Sequence, residues 1–377
     1  MFLSKASEKT QKFWAGFSHE KQDWAVFCIF FLTCLLLLLR SFNVNNWRAT
    51  HFLFSFQDGF VSRALIGTLI RTFFSQYFGS FAAIKIISAV ILVVYSLLLS
   101  ISGSRYWSGD RSLPCFLNVM IILTSPATIA FMAGEAGCFD TAAYALAMIA
   151  LLFLPVLPKR LHWLFVSLVA LTLVLIHEVM LMLPIPLLVA CILSKNYSIE
   201  PSGQLRGLKA AVFWMLPAIL FAGYCLTFAR FELSQDSFRQ TMALLQNYAD
   251  FEIQPGSVMV HFRDLRENVL LTSKNLLYHG IFSFFIIFPS LVTAFEITRH
   301  STAVRSQLAA RIVLCSVPLA VSLVGFDYPR WVAAVTLNLF IAGVFSGHSR
   351  DCPAQSGNLS LVGVIVFNLV AGPVKVL

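Results

Sequence analysis

The sequence predicts an all-α fold: a polytopic membrane bundle of about eleven transmembrane helices, with an interfacial amphipathic helix in the first large loop. Three observations carry that expectation. Of the 377 residues, 58% are hydrophobic and 12% charged, and the mean hydropathy is +0.79, whereas a soluble domain carries about 25% charged residues. Runs of roughly 20 mostly apolar residues, the length that crosses a hydrocarbon core, recur along the chain. Between them, basic residues gather in alternate connections, as the positive-inside rule requires. The same composition argues against a water-soluble enzyme and excludes a disordered chain, collagen-like repeats and a secreted disulfide scaffold.

The first apolar run, 24–40, follows a polar segment bearing Lys5, Lys9, Lys12 and Lys21 and has no convincing small-residue cleavage site, so it reads as a retained helix rather than a signal peptide. Residues 41–80 form a large loop. Within it Phe60, Leu65, Leu69, Phe73 and Phe74 share one face while Arg63, Arg71 and Gln76 lie elsewhere, the pattern of a helix lying in the interface. Five spans follow at 81–101, 113–132, 141–157, 161–177 and 179–194, the last two separated only by His177 and Glu178. After 210–229 a second large loop, 230–275, reads as two polar helices divided at Gln254–Pro255–Gly256. The remaining spans are 276–296, 310–325, 331–346 and 359–376. No fixed-period repeat and no Gly/Ser linker divides the chain, so residues 1–377 form a single membrane domain.

With the N-terminus cytoplasmic, the internal connections collect Arg105, Arg111, Lys159, Arg160, Lys195, Arg206, Lys209, Arg299, Arg305, Arg311 and Arg350. The short external turns at 133–140, 177–178 and 326–330 hold one basic residue, Arg330. This predicts a multi-pass protein of a cell's inner (plasma) membrane, with the lipid bilayer as its first partner. A formal charge of +9 raises the question of nucleic acid, but the basic residues are scattered between apolar runs, which argues against it. Cys28, Cys34, Cys115, Cys191, Cys225 and Cys315 lie inside apolar runs with no metal-ligand spacing, so no metal site is indicated.

A charge near the membrane is costly, so each ionisable residue there asks for a reason. Four clusters stand out: Asp58 with Arg63; Glu135 and Asp140 in GEAGCFD; His177–Glu178; and Asp327 with Arg330 in GFDYPRW. The derived orientation places all four on the external side. Carboxylates and a His beside Arg at one mouth would supply a general base and cationic contacts for a phosphate. That chemistry suits transfer of a sugar from a lipid-linked phosphate or diphosphate. A divalent ion would be able to share either task, although no ligand spacing demands one.

An apolar chain of about eleven spans, with an acidic residue in the large external loop after its first helix and an amphipathic helix following, resembles the GT-C superfamily of integral membrane glycosyltransferases. The resemblance implies a polyprenyl-phosphate or polyprenyl-diphosphate sugar donor, a site at the external face and Asp58 as catalytic base. Many members pair acidic residues in that loop. Here Gly59 follows Asp58, and Glu135 or Asp140 would have to supply the partner. Surface-polysaccharide and O-antigen polymerases are also similar, with Arg263 and Arg266 in the 230–275 loop suited to a diphosphate-linked glycan. Both resemblances imply envelope glycan assembly, and the sequence leaves protein partners open.

Each cluster also has a purely structural reading. Asp58 and Asp140 can cap helices, Arg63 can anchor to headgroups, and Glu178 or Asp327 can pair with Arg330. A transporter or lipid-linked oligosaccharide flippase is the alternative of another class. Pro184 and Pro186 would mark its broken helix, but central charge is nearly absent from the other spans.

Overall fold

The computed structural model describes residues 19–59, 63–196, 201–228, 234–262, 281–301, 305–322, 327–345 and 358–372. Arg263 and Arg266 therefore lie outside the described residues, as do Phe60 and Arg230. All regular structure among the described residues is helical. The helices are α1 (His19–Ser41), α2 (Asn46–Thr50), α3 (Leu65–Phe73), α4 (Phe81–Ser108), α5 (Leu113–Thr124), α6 (Ile129–Gly134) and α7 (Asp140–Phe153). They continue as α8 (His162–Ile176), α9 (Pro184–Asn196), α10 (Pro201–Phe228), α11 (Gln235–Tyr248), α12 (Pro255–Met259), α13 (Ile281–His300), α14 (Arg305–Ser316), α15 (Pro318–Val321), α16 (Tyr328–Phe345) and α17 (Asn358–Ala371).

Every apolar run of the sequence falls at least in part on a helix, but the lengths divide. Among the described residues, six segments are long and apolar enough to cross a membrane: His19–Ser41, Phe81–Ser108, Leu113–Gly134, Lys159–Ile176, Ile281–His300 and Tyr328–Phe345. The apolar helices Asp140–Phe153, Glu178–Leu193, Lys209–Cys225, Gln307–Val321 and Leu359–Ala371 are shorter. The chain also breaks at two places, the first inside Leu113–Gly134 and the second ahead of Glu178–Leu193. At Ser125–Pro126 the chain leaves α5, and the Thr128 hydroxyl satisfies freed carbonyls by donating to Ile122 O at 2.6 Å. After α8 the backbone turns extended at His177, makes a short 3-10 turn over Glu178–Leu181, and restarts at Pro184.

Helix α16 is the axis of the bundle, buried along nearly its whole length and packed most extensively on α13. A Cβ at Gly343 would meet Ile297 Cγ2 at 2.8 Å, and Thr298 Oγ1 donates to Leu339 O at 2.6 Å. A small residue and a hydroxyl thus bring two backbones together, the means of association available where no water drives it. Asn338 extends this glue, donating to Leu183 O at 3.0 Å while its Oδ1 accepts from Tyr144 at 3.0 Å. The outer faces of α1, α10 and α13 instead expose Leu36, Leu39, Phe213, Leu220, Phe282 and Phe285, a surface stable against acyl chains and costly in water.

The two large loops fold together as a cap layer over one end of the bundle. Leu53, Phe54 and Ala64 from the first pack with Leu245, Ile253 and Val258 from the second. Asp250 ties both to α4, its backbone N–H donating to Gly79 O at 3.0 Å and its Oδ1 accepting from Phe81 N–H at 2.8 Å. Gly79 has φ +87 and lies so close to Tyr248 O that a Cβ would stand 1.8 Å from it. Helix α3 is amphipathic, as its sequence predicts. Gly67 and Ile70 face inward, while Leu69, 45% exposed, and Phe73, 70% exposed, face outward. The second loop departs from two comparable helices: α11 has 14 residues and α12 only five.

Candidate functional site

Beneath the cap layer, chain breaks bring ionisable side chains together from six places in the sequence. Asp140 opens α7, and Arg330 lies in the first turn of α16. Arg330 Nε and Nη2 each donate to an Asp140 oxygen at 2.6 Å, a two-pronged pair, and Arg330 Nη1 stands 3.6 Å from Asp327. Arg48, in α2, holds Glu135 from Nη2 at 2.7 Å and from Nε at 3.1 Å, and also donates to Asn43 O. At the α8 break, His177 Nδ1 accepts from Val179 N–H at 3.3 Å and stands 3.0 Å from Glu178 Oε2.

Arg63 belongs to the same electrostatic neighbourhood, with Glu178, Asp140 and Arg330 among its charged neighbours. Its φ is +66, a left-handed conformation that costs a non-glycine residue free energy. Its Nε is shut off from solvent without a hydrogen-bond partner. Burial pulls the guanidinium's pKa below its ordinary value, opposed by the Glu178 carboxylate. Burial and Arg63 together push His177 down to about 4, so this imidazole is neutral near pH 7. His51 and His261 complete the group, and burial followed by Arg63 lowers both, His261 to about 3. Burial raises Asp327, with Arg330 opposing.

The arrangement brings together three of the four expected clusters, together with Arg63. Asp58 stands apart, which corrects the expectation of one common pocket. Its two oxygens accept from Arg71 Nη1 at 2.7 Å, and Oδ1 also accepts from Tyr248 OH at 2.9 Å. Asp58 thereby joins the first loop to α11 at the outer edge of the cap layer, because the 3-10 turn Phe56–Asp58 aims it at α3 rather than toward the bundle. Arg48, His51 and His261 were not singled out by the sequence. Arg48 and His51 sit in WRATHFLF, where the signal was present as two titratable groups against an apolar run.

Chemically the group offers a guanidinium with an uncommitted N–H, the Glu178 carboxylate beside the His177 ring, and neutral imidazoles. Among the described residues, no three His, Cys, Asp or Glu side chains come together to hold a metal ion. Two cavities are each about 10 Å³, one among apolar residues around Leu151 and Leu188, the other between Ser88 and Cys138. Each has room for about one water. Comparison with family models, with curated proteins and with solved structures finds no match to this chain.

Proposed function

We propose that this protein is a glycosyltransferase of GT-C-like architecture, crossing a cell's inner membrane about eleven times and using a polyprenyl-phosphate or polyprenyl-diphosphate sugar at the external face. The observation that supports the reading is that Arg63, whose Nε is buried without a hydrogen-bond partner, lies within the electrostatic reach of Glu178, whose carboxylate stands 3.0 Å from His177 Nδ1. Such a pair supplies a donor for a phosphate oxygen and a base for an acceptor hydroxyl. Glu178 takes the role of base in this reading in place of Asp58, whose oxygens are committed to Arg71 and Tyr248. Arg330, Asp140 and Asp327 hold the opening of α16 beside them, and His177 positions Glu178.

The five shorter apolar helices complete the crossings in this reading, and the cap layer lies outside the cell. Loss of the chain would then alter surface glycan. The test compares surface glycans by gel and mass spectrometry in cells with and without the protein, and in cells carrying Glu178→Gln. A missing sugar residue in both altered strains supports transfer. Loss of long polymer alone would favour a polymerase, and lipid-linked precursor retained inside would favour a flippase.

A further inference from the structure

His51 is 4% exposed, and neither of its ring nitrogens has a hydrogen-bond partner. Buried polar atoms are rarely left so, because each loses its hydration without replacement. The ring is held in place by an edge contact with Trp47, centroids 4.6 Å apart at 82°, and by Phe54 and His261 at 6.5 and 6.1 Å. Its location comes from the 3-10 turn His51–Leu53 that continues α2, whose Asn45 cap and Arg48–Glu135 pair fix the start. Nothing in that packing uses the nitrogens.

Resting on the transferase reading above, we propose that His51 binds a hydroxyl of the sugar carried by the lipid phosphate, while Arg63 binds the phosphate. The chemistry distinguishes the two ligands. A neutral imidazole presents one N–H donor and one lone pair. A phosphate oxygen only accepts, so it would satisfy the N–H and leave the lone pair facing negative charge. A hydroxyl both donates and accepts, and one sugar offers several. Burial, and after it the Arg63 guanidinium, keep the imidazole neutral.

The test measures dissociation constants of the full-length protein in lipid nanodiscs for a short-chain prenyl phosphate and for the same prenyl phosphate carrying a hexose. The wild type should bind the hexose-bearing probe about tenfold more tightly, the scale of one well-made hydrogen bond. His51→Phe should reduce that ratio to near one without changing affinity for the bare phosphate. His51→Gln, which keeps a donor and an acceptor, should retain part of it. Arg63→Gln should weaken both probes alike. A wild-type ratio of one, or a ratio unchanged in His51→Phe, overturns the role of His51 and leaves the transferase reading standing. A wild type that binds neither probe overturns both. If His51→Phe fails to fold, His51→Ala takes its place, with the same expected and overturning ratios.

Discussion

The Arg330–Asp140 pair gives the sharpest quantitative expectation. Replacing Arg330 by Gln leaves the Asp140 carboxylate, whose side chain is 4% exposed, without the guanidinium that donates to both its oxygens at 2.6 Å. Removing one member of a buried ion pair costs about 3–5 kcal/mol, because the surviving charge stays desolvated. Asp327 adds little, since it is 28% exposed and 3.6 Å away, where an exposed pair contributes at most about 1 kcal/mol. Asp140→Asn alone should cost a similar amount, leaving Arg330 with only the longer contact. The double variant Asp140→Asn/Arg330→Gln buries no net charge and should be more stable than either single one. The coupling is expected near the upper end of the roughly 0.5–3 kcal/mol range for contacting residues. Equilibrium unfolding in mixed micelles, followed by circular dichroism, reads this as about a hundredfold shift in the unfolding constant per 3 kcal/mol. Single variants that each cost under about 1 kcal/mol and add without coupling would refute a desolvated ion pair at the head of α16.

Other consequences follow from individual contacts. Gly67→Ala would place a Cβ 2.1 Å from Phe54 O and 2.5 Å from Phe52 O, so α3 must lift from the first loop; hydrogen exchange over residues 50–56 should rise markedly. Asp58→Asn should loosen the outer edge of the cap layer by no more than about 1 kcal/mol, because the carboxylate it weakens is partly exposed. It should slow sugar transfer rather than abolish it, and complete loss in a folded Asp58→Asn protein would return the base to Asp58. His177 is protonated near 6.5 when unfolded and near 4 when folded. The unfolded state therefore binds more protons in that window, and stability falls as pH drops from 6.5 to 4. The loss approaches about 3 kcal/mol at a slope of about 1.4 kcal/mol per pH unit. His177→Gln should flatten the unfolding profile by one proton in that range.

The architecture was legible where apolar length alone decides it, as in Phe81–Ser108 and Ile281–His300. The break after α8 was legible too, because His177–Glu178 interrupts an otherwise continuous apolar run. Helix α3 showed its amphipathic pattern, although the depth of its inner contact came from Gly67, which a hydrophobicity pattern does not weigh. The loop tie through Asp58 was not legible. Its partner Tyr248 is 190 residues away, and only the packing of one cap segment on the other makes them neighbours. The same limit hid Arg48 and Glu135, separated by 87 residues. His51 was not legible either, because a sequence does not show that both ring nitrogens lack partners.

The claim on which the rest depends is that Glu178 and Arg63 perform sugar transfer from a lipid-linked phosphate. Its most direct measurement is transfer of radiolabelled sugar from a polyprenyl-phosphate donor to isolated envelope glycan by the purified protein in liposomes. The wild type should form labelled product, and a Glu178→Gln variant that unfolds at the same temperature should form none. Absence of product with the wild type across mono- and diphosphate donors, or equal rates in the variant, would contradict the account.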